Sequence, residues 1–323
     1  HGRLQPELLL RAIQLGLAEV DTLHLRLNCD SQPPLQWLSL KHEATAGPNI
    51  EYSDLRTQPH ASAAALALMQ TDLARPLHAD GADPLYKHQL LRVDEQHWYW
   101  YQRYHHISVD GYSLAAINQR IAQLYNALCQ SSPLPPCPWH SFAAVIAEQQ
   151  TYQRSSAYAQ DQQFWQHYVS QLAAPLSLAT RTASHPHRSA NLEVRRARCV
   201  LQGQSYTQLH NTSHTLRLNP AELASAALLA YLQRMSGATE VVIGVPFMRR
   251  LGFAALNAAG ATVNVLPVQV ALEPELSLSQ LALRFSSELR RVRKHQRYAA
   301  EQIQRDAGVQ RALYNVMLNL KLY

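Results

Sequence analysis

Cysteine is scarce and scattered in these 323 residues: Cys29, Cys129, Cys137 and Cys199 form no Cys-x-x-Cys pair. That spacing argues against a disulfide scaffold and against a zinc site, and no metal is expected. Charge is sparse too, with 16% Asp, Glu, Lys and Arg. Even so, no apolar run reaches membrane-spanning length, and no positive end followed by a short apolar stretch and a small-residue cleavage site opens the chain. A soluble, cytoplasmic protein without a membrane span is expected. The formal charge of +6 is a modest excess, spread over both halves in pairs such as Arg195-Arg196, Arg249-Arg250 and Arg290-Arg291. An acidic protein partner or an anionic substrate group would suit that balance. Nucleic acid would suit it electrostatically, but no nucleic-acid motif accompanies it.

What the chain does have is a hydrophobic fraction of 47%, enough to bury a core in one large domain or two ordinary ones. "PELLLRAIQLGLAEV" has helical spacing, "DTLHLRLN" alternates Leu23, Leu25 and Leu27, and "ALALMQTDLARPL" is helical again. "LYKHQLLRV" and "HWYWYQRYHH" are predicted strands joined by the polar turn "DEQ". The helix after them carries Leu114, Ile117, Ile121, Leu124 and Leu128 on one face. A proline cluster and a helical stretch from Phe142 to Leu172 follow.

The second half repeats this grammar. "NLEVRRARCVL" is a strand candidate, and a helix is framed by Asn219 as N-cap, Pro220, Glu222 at the capping-box site and Gly237. "EVVIGVPF" and "ATVNVLPVQVAL" are strands, and a last helix places Leu281, Leu283, Phe285 and Leu289 on one side. We therefore expect an α/β fold with an N-terminal unit over 1–172, a linker over 173–189 and a C-terminal unit over 190–323. One domain with a long loop is the alternative. Two similar halves invite a site between them.

The chemistry concentrates in "HHISVDGYS". An imidazole can hold or remove a proton near neutral pH. An arginine could fix the aspartate and so the loop that presents the histidine. A glycine at the start of a helix lets backbone N–H groups approach a developing oxyanion. Taken singly these residues are bland, since a histidine ending a strand is usually structural and Asp-Gly is usually a turn. Strand alternation would turn His105 and His106 to opposite faces, which argues against a joint metal pair. The aromatic run Trp98, Tyr99, Trp100, Tyr101 and Tyr104 is expected to serve sheet packing.

Taken together, His105-His106-x-x-x-Asp110-Gly111 resembles the HHxxxDG signature of the condensation domains of nonribosomal peptide synthetases. Gly244, Pro246 and Arg250 fit the family's G-x-P-x-x-x-R motif, and Val263, Asn264, Leu266 and Pro267 fit its V-N-x-L-P run. Leu23 and Arg26 survive from a diverged E-x-L-R-x-R-F motif that has Leu27 where Phe is usual. The resemblance implies two chloramphenicol acetyltransferase-like subdomains in a V-shaped pseudo-dimer, with the active site at their interface. It also implies that the family's first strand lies before His1 and its closing segments after Tyr323, so that the sequence is a fragment.

Carried over residue by residue, the resemblance makes His106 the group that takes the amine proton or orients the amine, with His105 packed behind it. Asp110 completes the catalytic motif in a structural role, paired with Arg250 across the two halves, with Arg249 as fallback. Gly111 would offer its N–H to the thioester oxygen, and Ser113 and Asn264 are candidates to line a substrate tunnel. The implied reaction is amide formation by thioester aminolysis. The enzyme would bind no cofactor itself, because phosphopantetheine would arrive on an upstream aryl or acyl carrier protein and a downstream peptidyl carrier protein. An adenylation domain would adjoin in the parent chain. "WYWYQRYHH", "FMRRLG" and "RKHQRYAAEQIQRD" bring the chain nearest to members that join 2,3-dihydroxybenzoyl to a seryl acceptor in siderophore biosynthesis. Alternatives are a different acyl donor, an epimerisation domain, a non-catalytic partner-recruiting domain, or an acetyltransferase using free coenzyme A.

Overall fold

In a computed structural model the chain is described over residues 2–38, 50–79, 84–178, 196–250, 253–308 and 312–320. It forms two compact units, one of His1–Gln153 with Met248–Val263, the other of Arg154–Phe247 with Asn264–Tyr323. Among the described residues no helix is long and apolar enough to cross a membrane.

The first unit contains α1 (Pro6–Ala18), a 3-10 turn at Asp21–His24, a ribbon of β1 (Leu25–Asn28) and β2 (Leu35–Leu38), β3 (Ile50–Asp54), α2 (Ala61–Leu73), β4 (Tyr86–Arg92), β5 (Trp98–Tyr104), α3 (Gly111–Cys129) and α4 (Ala143–Gln153). Strand β3 runs parallel to β4, and β4 antiparallel to β5. Helix α1 buries Leu9, Ala12, Ile13, Gly16 and Leu17, one stripe at helical spacing, in a core shared with Ile117, Ile121 and Leu124 of α3.

On β5 the side chains alternate. Trp98, Trp100 and Tyr104 turn to the α1–α3 core, while Tyr99 packs with Leu55, Ala65 and Leu91 beside α2. On that second face the Tyr101 hydroxyl donates to Asp72 at 3.0 Å and Arg103 donates to the same carboxylate at 3.1 Å. The aromatic run is thus sheet packing on both faces, as its alternation predicts.

A group that sequence inspection passes over lies in this sheet. His88 is fully buried on β4, with the Trp100 indole N–H donating to its Nδ1 at 3.1 Å and its Nε2 2.7 Å from the Tyr104 hydroxyl. Burial without a charged partner pushes its pKa down to about 3. Above pH 6.5 the ring is neutral in both folded and unfolded chains. Below that, the unfolded chain takes up a proton that the folded one refuses, so stability falls with pH down to the folded pKa. Between pH 7 and pH 5 this one residue is expected to remove about 2 kcal/mol. Urea unfolding of wild type and His88→Gln at both pH values checks this: the wild-type loss should exceed the variant's by that amount.

The second unit contains α5 (Ser156–Ser170), α6 (Gln204–Thr215), α7 (Pro220–Ser236), β6 (Glu240–Phe247), β7 (Asn264–Ala271), α8 (Leu278–Arg293), α9 (Ala300–Asp306) and β8 (Val316–Met317). Its sheet has the order β7-β6-β8, with β6 antiparallel to β7 and parallel to β8. The predicted capping box of α7 is present: Asn219 accepts from the Glu222 N–H at 2.8 Å, and Glu222 accepts from the Asn219 N–H at 2.9 Å. Gly237 closes that helix with a left-handed φ of 69°.

Several expectations are corrected here. The stretch 142–172 is two helices, α4 and α5, because Ser155 caps α5 by accepting from the Tyr158 N–H. Helix α5 belongs to the second unit, since Trp165 and Tyr168 are buried in the core of β6, β7 and α8. The first boundary therefore falls at Gln153 rather than at 172. The segment Met248–Val263 returns to the first unit. Residues 179–195, most of the expected linker and the start of the strand candidate at 191–201, lie outside the described residues; 196–202 has no regular structure. Leu283 is 55% exposed, whereas Leu281 and Phe285 are buried, so the buried stripe of α8 does not include it.

Candidate active site

Strand β5 ends at Tyr104, and the next four residues close a turn: the Ser108 N–H donates to the His105 carbonyl at 3.1 Å, and the Ser108 hydroxyl to the same oxygen at 2.8 Å. His105 is half-buried at the first position, its N–H bonded to the Leu85 carbonyl and its Nδ1 accepting from the Ile107 N–H at 3.2 Å. That acceptor role places the proton of the neutral ring on Nε2. His106 occupies the exposed second corner. The two histidines are thus separated by a turn rather than by strand alternation. His105 shapes the turn and His106 is what the turn presents.

Val109 and Asp110 then go under. Asp110 is the N-cap of α3, its Oδ1 accepting from the Ser113 N–H at 2.9 Å and its Oδ2 from the Thr262 N–H at 3.1 Å. Both oxygens also accept from Arg250 Nη2 at 2.9 Å, with side-chain exposures of only 1% for the arginine and 2% for the aspartate. Burial alone would raise the carboxyl's pKa. The Ser113 and Thr262 N–H groups and the Arg250 charge outweigh it and hold the group below its ordinary value. An arginine at this depth needs its charge paired and most of its donors met; its Nε alone finds no acceptor among the described residues. Nη1 donates to the Ala255 and Ala258 carbonyls and Nη2 also to the Gly260 carbonyl at 2.6 Å, while the Tyr112 ring lies 4.4 Å from the guanidinium carbon.

Arg250 is therefore the partner of Asp110. The fallback, Arg249, lies in a left-handed conformation with φ 54° and donates to Gln149 at 2.9 Å. The pair was expected to bridge the two halves of the sequence; in the structure both residues belong to the first unit. It fastens the start of α3 to the loop that follows β6.

Ser113 and Asn264 do not line a tunnel. Ser113 is fully buried: its hydroxyl donates to the Gly260 carbonyl at 2.7 Å and accepts from the Gly260 N–H at 2.8 Å and from Arg250 at 2.9 Å. Asn264, in the second unit, donates to the Gln296 and Tyr298 carbonyls at 2.9 and 2.8 Å and accepts from the Ala300 N–H at 3.1 Å. Each spends its polar atoms on the fold. Gly111, at the first position of α3, is exposed. Of the early motif, Leu23 is buried, and Arg26 donates to the Leu25 carbonyl.

Two glycines explain themselves by close approach. A Cβ on Gly244 would lie 2.3 Å from the Tyr314 ring, and Gly244 faces Pro267 in the β6–β7 register, so two of the motifs meet there. A Cβ on Gly260 would lie 2.2 Å from the Phe142 ring. Gly260→Ala is thus expected to cost about 1–3 kcal/mol through displacement of Phe142. It would also shift the carbonyl that Arg250 uses, and thermal unfolding reads the loss. Thr262, Gly260 and the carbonyls of Ala255 and Ala258 complete the cage and carry no signal in the sequence, because all four act through backbone atoms.

The chain belongs to the condensation-domain family, whose model matches residues 1–323. Among curated relatives it is 38% identical over 325 residues to enterobactin synthase component F of Escherichia coli K12, covering all of this chain and 25% of that protein. It is also 38% identical over 326 residues to vanchrobactin synthetase VabF of Vibrio anguillarum, covering 99% of this chain and 11% of that protein. The chain thus spans a quarter or less of the length of these relatives. Among solved structures it resembles the starter condensation domain of rhizomide synthetase in complex with C8-CoA, with TM-score 0.82 and 31% identity over 98% of this chain and 70% of that one. It also resembles the first condensation domain of the calcium-dependent antibiotic synthetase, with TM-score 0.83 and 25% identity over 98% of this chain and 71% of that one. The fold is accordingly the mixed α/β, chloramphenicol acetyltransferase-like one expected.

Proposed function

We propose that this chain forms an amide bond between a carrier-bound acyl or aryl thioester and a carrier-bound aminoacyl group, with 2,3-dihydroxybenzoyl as donor and seryl as acceptor, in siderophore assembly. The observation that carries the reading is His106, exposed at the corner of a turn whose next residues are locked by the buried Asp110–Arg250 pair, in a member of the condensation family. The names of the enterobactin and vanchrobactin relatives support the siderophore assignment.

The seryl α-amine, as the free base, attacks the thioester carbon, and its nitrogen forms the new bond as the carbonyl π pair moves to oxygen. His106 takes the proton the nitrogen sheds or aligns its lone pair on the carbon; alignment alone supplies much of the rate in such a step. The Gly111 N–H, at the positive end of α3, stabilises the oxyanion. Collapse expels the donor's pantetheine thiolate, which is protonated to the thiol. Asp110 touches no reacting atom in this scheme.

The partners are an upstream aryl carrier protein, a downstream peptidyl carrier protein and an adenylation domain in the parent chain, and phosphopantetheine is borne by the carriers. The test supplies seryl-loaded peptidyl carrier with the aryl donor either on its carrier or on free coenzyme A. Amide from the carrier-borne donor supports the reading, and turnover of the coenzyme A thioester alone would replace it with a free-standing acyltransferase.

A further inference from the structure

Two peptide planes flank His106, and a side chain holds each of them. The plane joining His105 to His106 carries the His105 carbonyl, which accepts from the Ser108 N–H at 3.1 Å and from the Ser108 hydroxyl at 2.8 Å. The plane joining His106 to Ile107 carries the Ile107 N–H, which donates to His105 Nδ1 at 3.2 Å. Because a peptide unit is rigid, holding both planes sets φ and ψ of His106 between them, and with these the direction of its Cα–Cβ bond. The turn is anchored on either side. The His105 N–H is bonded to the Leu85 carbonyl at 2.8 Å, and beyond Ser108 the chain is buried at Val109 and Asp110.

Ser108 is the less expected of the two clamps. It is fully buried, whereas His106, two positions earlier, is exposed. Among the described residues its hydroxyl makes no hydrogen bond but the one to the His105 carbonyl. That carbonyl already has the Ser108 N–H, so an alanine at 108 would still leave it paired. Taking a hydroxyl out of water costs about as much as one hydrogen bond returns, and the group therefore adds little to stability. What it adds is a second donor on one carbonyl, which narrows the range of the plane that carries His106. We infer, on the condensation reading given above, that Ser108 is a positioning residue acting through His106, its hydroxyl holding the imidazole in line with the attacking amine. Ser108 itself touches no reacting atom. Alignment of this kind is lost over displacements of about 1 Å, so loosening one plane lowers the rate of the chemical step and leaves the binding of both carriers as it was.

The test measures amide formation from 2,3-dihydroxybenzoyl-loaded aryl carrier and seryl-loaded acceptor carrier with wild type, Ser108→Ala, His106→Ala and the double variant. Ser108→Ala is expected to lower kcat about tenfold, part of the roughly 10²-fold that a misplacement of about 1 Å can cost. Both KM values should stay within about twofold and the melting temperature near that of wild type. In the His106→Ala background the same substitution should change the residual rate by less than about twofold, because a residue that acts only through His106 has nothing left to aim. A similar loss in both backgrounds, a raised KM with unchanged kcat, or wild-type kinetics in Ser108→Ala would overturn the inference and leave the condensation reading standing. A melting temperature lowered by many degrees would do the same, since it would make the hydroxyl a stabilising group. If wild type forms no amide, or His106→Ala keeps the wild-type rate, the reading of His106 falls and this inference falls with it.

Discussion

Replacing His106 with alanine is expected to lower the rate of amide formation by about 10²–10⁴-fold, the range of a positioned proton-transfer group, while leaving the melting temperature unchanged. The structure separates these two effects unusually well. His106 is exposed at the second corner of the His105–Ser108 turn, and that turn is closed by backbone and hydroxyl bonds in which the imidazole takes no part. Nothing buried is lost with the ring. His106→Gln distinguishes the two roles open to the histidine. A side chain that aligns the amine by hydrogen bonding recovers part of the rate and flattens its pH dependence; one that must accept the proton recovers little. Wild-type rates in the alanine variant would remove His106 from the mechanism.

Asp110→Ala should act in the opposite order, through the fold first and the rate second. It would leave the Arg250 guanidinium in a site where its side chain is 1% exposed, with no counter-charge, and it would uncap α3. Breaking one side of a buried ion pair costs about 3–5 kcal/mol, and a lost N-cap adds about 1 kcal/mol. The double variant Asp110→Ala/Arg250→Met removes the stranded charge and should recover part of that stability, which shows the penalty to be electrostatic. The pair also sets a pH limit. Because the carboxyl is held below its ordinary value, its contribution is fully present above the unfolded-state pKa near 3.8 and is lost as pH falls through the lower folded value. Activity lost in Asp110→Ala with an unchanged melting temperature would contradict this assignment and make Asp110 a group that acts on substrate.

How far these roles could be read from the sequence depends on how local their causes are. Helix α7 was legible because its capping box and terminal Gly237 are short-range chemistry, and the two faces of β5 were legible because alternation needs only the strand. The Asp110–Arg250 pair spans 140 residues and was reachable only through the family's motif spacing. Ser113 and Asn264 were misjudged for the same reason. Nothing near either in sequence reveals that Gly260, or the carbonyls of Gln296 and Tyr298, will claim its polar atoms. His88 was passed over because a histidine in "LYKHQLLRV" looks like any polar residue on a half-exposed strand. Its meaning comes from Trp100 and Tyr104 on the neighbouring strand, and thus from register. The unit boundary failed where Trp165 and Tyr168 chose their core, a choice made by tertiary packing.

In the proposed reaction this condensation domain joins a carrier-borne aryl thioester to a carrier-borne seryl amine with His106 at the reacting centre. Intact-protein mass spectrometry of the seryl-loaded carrier tests it most directly, after incubation with the 2,3-dihydroxybenzoyl-loaded carrier and either wild type or His106→Ala. The acceptor carrier is expected to gain one dihydroxybenzoyl group with wild type and essentially none with the variant over the same interval. Equal gain with both proteins, or none with wild type, would contradict it.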